Sequence, residues 1–204
     1  MSEGKSTPPL PIFDVKKWTG RMLIATAFAV ALLVLANPRE FPYLLIPGLA
    51  CIAFGQFFRL WGTGHLHKNK VLATGGPYSF VRHPLYVGTF FVILGLALIA
   101  GSKVVLFGLL PVGILVFLFY YAPKKERRES LRLHKAFGEK FDRYHAAVPG
   151  FIPRLTPYPD REGRFKFDGI IENREYLIAL AIGFGVAVIL VKFFFPDVIP
   201  TPSF

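Results

Sequence analysis

The sequence predicts an all-α protein embedded in a membrane, and three observations predict it. Apolar residues fill 53% of 204 positions, 22 residues are Phe and mean hydropathy is +0.46, values that belong to a polytopic membrane protein. The apolar residues are gathered into five runs of membrane-helix character. The basic residues between those runs fall almost entirely on one side. The expected architecture is about five transmembrane helices with a helical hairpin at the core and an amphipathic helix on the cytosolic face. Gly62-x-Gly64 follows a membrane helix and lacks the preceding strand of a dinucleotide fingerprint, so no Rossmann sheet is expected.

In chain order, residues 1–18 are polar, contain Pro8, Pro9 and Pro11, and lack a signal-peptide apolar core; they read as a cytosolic tail. Residues 19–61 hold two spans. The first, 22–36, is short and stops at Asn37-Pro38; the second, 43–61, contains Pro47 and ends with Arg59 within snorkelling reach of the surface. Residues 62–155 form the predicted functional core, with spans at 85–100 and 104–122. Only Gly101-Ser102-Lys103 separates these two, which predicts a tight antiparallel hairpin. Over 124–147 the pattern becomes amphipathic, with Leu133, Phe137, Phe141 and Tyr144 on one face. This helix is expected to continue the fourth span past Pro123 and then lie on the membrane surface. Residues 156–175 read as a polar loop, and 176–204 as a last span, with Lys192 near its end, and a tail.

With the N-terminus inside, four Lys and Arg lie in the tail and its edge (Lys5, Lys16, Lys17 and Arg21), four at the 62–84 loop and its edge, and thirteen in 123–175. Arg39, Lys103 and Lys192 remain for the other side, which satisfies the positive-inside rule. The expectation is a multi-pass protein of a plasma or inner membrane, its functional loops cytosolic. A formal charge of +11 then reflects basic loops facing membrane lipids. No basic stretch carries a stacking platform, so nucleic acid is not an expected partner, and no protein partner is predicted. The lone Cys51 excludes an intramolecular disulfide.

The candidate site lies where Thr74-Gly75-Gly76-Pro77-Tyr78 runs into Arg82-His83-Pro84. Proline suits the first helical turn, where its missing N–H would have no partner. Arg82 and His83 therefore sit at the mouth of a membrane helix, beside its unpaired N–H groups and positive dipole end, a place for an anion or polar cofactor. Taken alone, the same residues suit an interfacial anchor, and the basic helix suits a lipid-binding surface helix. His65-x-His67 offers two ligands without a third, so no metal site is expected.

Two blocks change that balance. Lys70 to Tyr86, read as K-x-x-x-T-x-G-P-Y-x-x-x-R-H-P-x-Y, resembles the signature of the isoprenylcysteine carboxyl methyltransferases and their phospholipid methyltransferase relatives. Glu129-Ser130-x-x-Leu133-x-x-x-Phe137-Gly138-x-x-Phe141-x-x-Tyr144, followed by Val148-Pro149 and Pro153, resembles the family's second block. Ser130 stands where a second Glu is usual, and Phe141 where Tyr is usual. The resemblance covers about residues 55–155. It implies a membrane methyltransferase that uses S-adenosyl-L-methionine in a helical pocket opening to the cytosol. It further implies cofactor contacts from Lys70, Val71, Leu72, Ala73, Tyr78, Arg82, His83, Pro84, Leu85, Tyr86 and Glu129, with His67 a weaker carry-over. His83 and Glu129 are the candidate catalytic groups. Lys125 and Arg128 are the candidates for holding the acceptor, with Lys124 and Arg127 as neighbours that could substitute. The implied acceptor is lipophilic or lipid-like and is methylated on oxygen, sulfur or nitrogen.

Two other readings stay open from sequence. Membrane reductases of the sterol type, which use NADPH, share a related helical core, although the spacing from Arg82-His83-Pro84-x-Tyr86 to Glu129 favours the methyltransferases. A non-catalytic lipid-binding membrane protein is the third.

Overall fold

In the computed structural model, which describes residues 26–66, 71–199 and 201, the chain is helical and no strand occurs among the described residues. The helices are α1 (Thr26–Leu35), α2 (Leu45–His65), α3 (Pro84–Ala100), α4 (Val104–Phe137), α5 (Glu139–Ala147), α6 (Phe167–Glu172) and α7 (Glu175–Phe194). Three stretches are long and apolar enough to cross a membrane: Pro42–His65, Val104–Phe137 and Glu175–Phe194. α1 and α3 are apolar but shorter. The tail 1–18 lies outside the described residues, as does the start of the first expected span.

α2 and α3 form the tightest pair, through glycines that let the backbones touch. A Cβ on Gly55 would lie 2.5 Å from the Gly88 carbonyl, and one on Gly95 2.5 Å from the Gly48 carbonyl. Gly48 and Gly55 are seven residues apart on α2, as are Gly88 and Gly95 on α3. The antiparallel helices thus meet twice, two turns apart, which is how small residues hold helices together in lipid. α2 also runs four residues past Trp61, its expected end. Thr63 Oγ1 donates back to the Arg59 carbonyl at 2.8 Å, and Gly62 and Gly64 are covered by Leu85 and Phe165. The first four residues of the expected 62–84 loop are therefore helix.

Gly101, in the left-handed region at φ 56°, ends α3 and turns the chain into α4. Of the predicted hairpin, the turn is present but the close packing is not. α4 leans away and meets α3 through long rings, with Phe90 and Phe117 centroids at 6.4 Å and Tyr86 and Tyr121 at 6.0 Å. α4 is 34 residues long, about 51 Å at 1.5 Å per residue, against a bilayer core of about 30 Å. Its last third must project from the membrane. Two prolines, Pro111 and Pro123, lie inside it, and each follows a wide π turn (Val104–Leu109 and Phe117–Tyr121). There the Leu110 and Ala122 amides reach back five residues, to the Val105 and Phe117 carbonyls. The wide turns absorb the hydrogen bond and space that proline removes, so the helix is not broken. It breaks at Gly138, at φ 54° and ψ −133°, so the expected 124–147 helix is two helices.

α7 starts one residue earlier than expected, and its charges are buried. Arg59 donates to both carboxylate oxygens of Glu175, at 2.7 and 2.9 Å, and also to Thr89 Oγ1. Glu175 is 1% exposed. Arg59 therefore does not snorkel: it pairs internally, joining α2, α3 and α7. At the other end Lys192 donates to the Leu33 carbonyl at 2.8 Å, capping α1, while Arg39 Nε donates to the Phe193 carbonyl at 2.8 Å, capping α7.

Two apolar cores result. One joins Leu32, Ala36, Ile52, Ile99, Val105 and Ile189 at the hairpin-turn end. The other joins Leu72, Phe141, Tyr144, Val148 and Tyr158 at the opposite end. The predicted polar loop at 156–175 is built into this second core. The Thr74 and Gly75 amides donate to the Glu162 carbonyl, that of Tyr158 to Ser79, that of Arg154 to Phe80, and those of Arg82 and His83 to Pro149 and Gly150. Residues 149–162 thus form a strap paired with residues 74–83.

Candidate active site between the 71–86 loop and α4

The strap fixes the segment that carries most of the predicted site. Thr74 Oγ1 donates to the Asp160 carbonyl at 2.8 Å and accepts from the Glu162 amide at 2.8 Å. Gly76, at φ 57°, turns the chain under the His65 ring, whose atoms would lie 2.5 Å from a Cβ there. A short 3-10 turn, Gly76–Ser79, then buries Tyr78. The Tyr144 hydroxyl donates to the Tyr78 carbonyl at 2.7 Å, locking α5 to the loop. Burial raises the pKa of both phenols, so each is neutral and protonated at physiological pH.

Between this segment and α4 lies a cavity of about 560 Å³. It is lined by Val71, Leu72, Ala73, Tyr78, Arg82, His83, Pro84, Leu85 and Tyr86 from one side, and by Lys125, Arg128 and Glu129 from the other. Every described residue predicted for the site thus borders one space, and Leu133, Phe137, Phe141 and Tyr144 complete it. Lys70 and His67 lie outside the described residues. Lys124 and Arg127, named as substitutes for Lys125, do not line this cavity; they belong to a separate concavity that they share with Arg128.

The electrostatics centre on a residue that the sequence reading did not assign. Glu126 Oε2 is 2.6 Å from His83 Nε2, and its Oε1 is 2.9 Å from Arg82 Nη2. Glu129, the other candidate catalytic group, is 3.9 Å from Nδ1. The only signal for Glu126 in the sequence is its place one turn before Glu129, which puts both carboxylates near one face of α4. His145 Nε2 is 3.6 Å from Glu126, and burial followed by the Arg82 charge lowers its pKa. The expected open helix mouth is partly closed, since the Arg82 and His83 amides already bind the strap. Phe151, also unforeseen, lies 5.2 Å from the His83 ring. Two nitrogens of Arg82, Nε and Nη1, are buried with no hydrogen-bond partner.

Residues 43–140 match the family described as phospholipid methyltransferase. Over 119 residues the chain is 39% identical to the cobalt-zinc-cadmium resistance protein CzcN of Cupriavidus metallidurans, covering 57% of this chain and 52% of that protein. It is 37% identical over 115 residues to the nickel-cobalt-cadmium resistance protein NccN of Alcaligenes xylosoxydans xylosoxydans, covering 55% and 51%. To a protein-S-isoprenylcysteine O-methyltransferase of Schizosaccharomyces pombe it is 32% identical over 108 residues, covering 52% and 43%. The chain thus spans about half the length of the curated relatives it matches. No solved structure matches it. α2, α3 and all of α4, with the 71–86 loop that walls the cavity, lie within the stretch that matches the phospholipid methyltransferase family.

Proposed function

We propose that the chain is a membrane methyltransferase that binds S-adenosyl-L-methionine in the cavity between the 71–86 loop and α4, and methylates a lipid-like acceptor. The observation that carries this reading is that described residues of both sequence blocks, from Val71 to Tyr86 and from Lys125 to Tyr144, line one cavity. Arg82, at its wall, is a cation suited to a carboxylate. The rest of the lining suits the same ligand. A volume of about 560 Å³ falls within the roughly 300–1,000 Å³ of small-molecule sites. Glu129 can accept from an ammonium or from ribose hydroxyls, and Tyr78 and Tyr86 offer faces to adenine or a sulfonium. Val71, Leu72 and Ala73 border the same space. When bound, the cofactor supplies a methyl group already made electrophilic by its sulfonium.

The protein's own work is positioning and exclusion of water. His83 donates Nε2–H to Glu126, which leaves Nδ1 as the atom turned toward Glu129 and the cavity. A carboxylate acceptor needs no base; a thiol, phenol or amine would lose its proton to His83 Nδ1 or to Glu129. Lys125 and Arg128 border the cavity where they can hold an anionic acceptor end. Phe90, Phe117, Tyr86 and Tyr121 form an apolar ring seam between α3 and α4, and an apolar acceptor entering sideways would part those rings. The positive-inside pattern supports a cytosolic position for this end of the molecule.

Calorimetric titration of the detergent-purified protein is the test. S-adenosyl-L-methionine is expected to bind at sub-millimolar concentration and NADPH not to bind, with His83→Ala and Glu129→Ala each weakening the first by about tenfold or more. Normal cofactor binding by both variants would show that the pocket lies elsewhere. Binding of NADPH alone would favour a reductase.

A further inference from the structure

The face of α4 turned away from the cavity carries a second arrangement. Val116, Tyr120, Lys124, Arg127 and Leu131 follow one another at spacings of three or four residues, and so form one stripe along the helix. Its first half is apolar and open: Val116 is 53% exposed and Tyr120 62%. One turn earlier, at Gly113, an added Cβ would meet nothing within 4 Å. Past Pro123 the stripe becomes basic. Pro123, Lys124, Arg127, Arg128 and Leu131 line an open concavity of about 470 Å³, floored mainly by their carbon atoms and without a carboxylate. The nearest acids, Glu126 and Glu129, face the other side, one held by Arg82 and His83 and the other bordering the cavity. Lys124 Nζ accordingly finds only a phenol: it donates to Tyr120 Oη at 2.9 Å and lies 4.7 Å above that ring.

The position of this change along the helix says what would fill the concavity. The apolar stretch 104–122 is as long as a bilayer core is thick, so Lys124, Arg127 and Arg128 stand at headgroup depth just beyond it. An uncompensated trio of cations there is complementary to a phosphodiester, and the open apolar half of the stripe is complementary to an acyl chain. We propose that this concavity is a binding site for an anionic phospholipid, its headgroup phosphate held by Lys124, Arg127 and Arg128 and one chain lying along Val116 and Tyr120. It is separate from the methyltransferase cavity, with Arg128 bordering both.

The full chain, purified in a non-ionic detergent and titrated with phosphatidylglycerol or phosphatidylcholine, tests this when bound lipid is counted by native mass spectrometry. Phosphatidylglycerol is expected to bind more tightly. The preference should fall about fivefold per cation removed, and so roughly thirtyfold in Lys124→Gln with Arg127→Gln. Lys124→Arg with Arg127→Lys should keep it, and an unchanged unfolding temperature would show that the charge-removing pair still folds. Equal binding of the two lipids, or an unaltered preference in the charge-removing pair, would overturn the proposal. Displacement of phosphatidylglycerol by millimolar inorganic phosphate would also overturn it, leaving a site for soluble phosphate or an acidic protein segment.

Discussion

At the scale of single residues, the carboxylate of Glu126 ties together the two cations that open α3. It reaches His83 Nε2 at 2.6 Å and Arg82 Nη2 at 2.9 Å without lining the cavity itself, so it acts through those residues. A charged hydrogen bond of this kind is worth about 1.5–3 kcal/mol. For the proposed cofactor site, Glu126→Gln is therefore expected to weaken S-adenosyl-L-methionine binding by roughly tenfold to a hundredfold. Glu126→Asp should restore part of that loss. Titration calorimetry would measure the effect, and unchanged binding in Glu126→Gln would show that this carboxylate does not position Arg82 and His83. Of the two carboxylates, only Glu129 borders the cavity.

At the scale of elements, α2 and α3 depend on close glycine contact and α4 does not. A Cβ on Gly55 would lie 2.5 Å from a backbone oxygen, which cannot give way as a flexible side chain does. Gly55→Ala should thus force the two helices apart, at the roughly 1–3 kcal/mol typical of overpacking. Gly113, in the middle of α4, has no atom within 4 Å of its added Cβ. Gly113→Ala should be neutral or stabilising by up to about 1 kcal/mol, the helix preference of Ala over Gly. Thermal unfolding of both variants in detergent separates these cases, and equal melting temperatures would contradict the packing described for α2 and α3.

At the scale of the whole molecule, the C-terminal helix lies outside the family domain yet is joined to it by buried charge. Arg59 and Glu175 have side-chain exposures of 12% and 2%, and removing one partner of such a pair typically costs about 3–5 kcal/mol. Glu175→Gln should therefore destabilise strongly. Arg59→Met with Glu175→Met should recover much of the loss, because no unpaired charge remains. A double-mutant cycle on unfolding free energies measures the coupling; additive losses would mean that the two side chains act independently. The strap is the second such tie, since residues 149–162 lie beyond the family domain and hold its 74–83 segment by backbone hydrogen bonds.

The apolar runs, Pro84 at the mouth of α3 and Gly101 at its end were legible in the sequence because each acts over a few residues, through hydrophobicity, a missing N–H or a permissive φ. So were the two blocks that border the cavity, because side-chain types at fixed spacings carry their resemblance. Arg59 read as a surface anchor, and residues 156–175 as a loop, because their partners are remote: Glu175 lies 116 positions from Arg59, and Glu162 pairs with Thr74. Glu126 read as one charge among many on a basic helix, and only the packing of that helix against Arg82-His83 set it apart. The sequence by itself determined the long apolar helices and the two blocks that border one cavity. The tertiary structure alone decided which charges pair, because in a low-dielectric interior a charge is held by whatever group the fold brings within 3 Å, and local sequence does not specify that group.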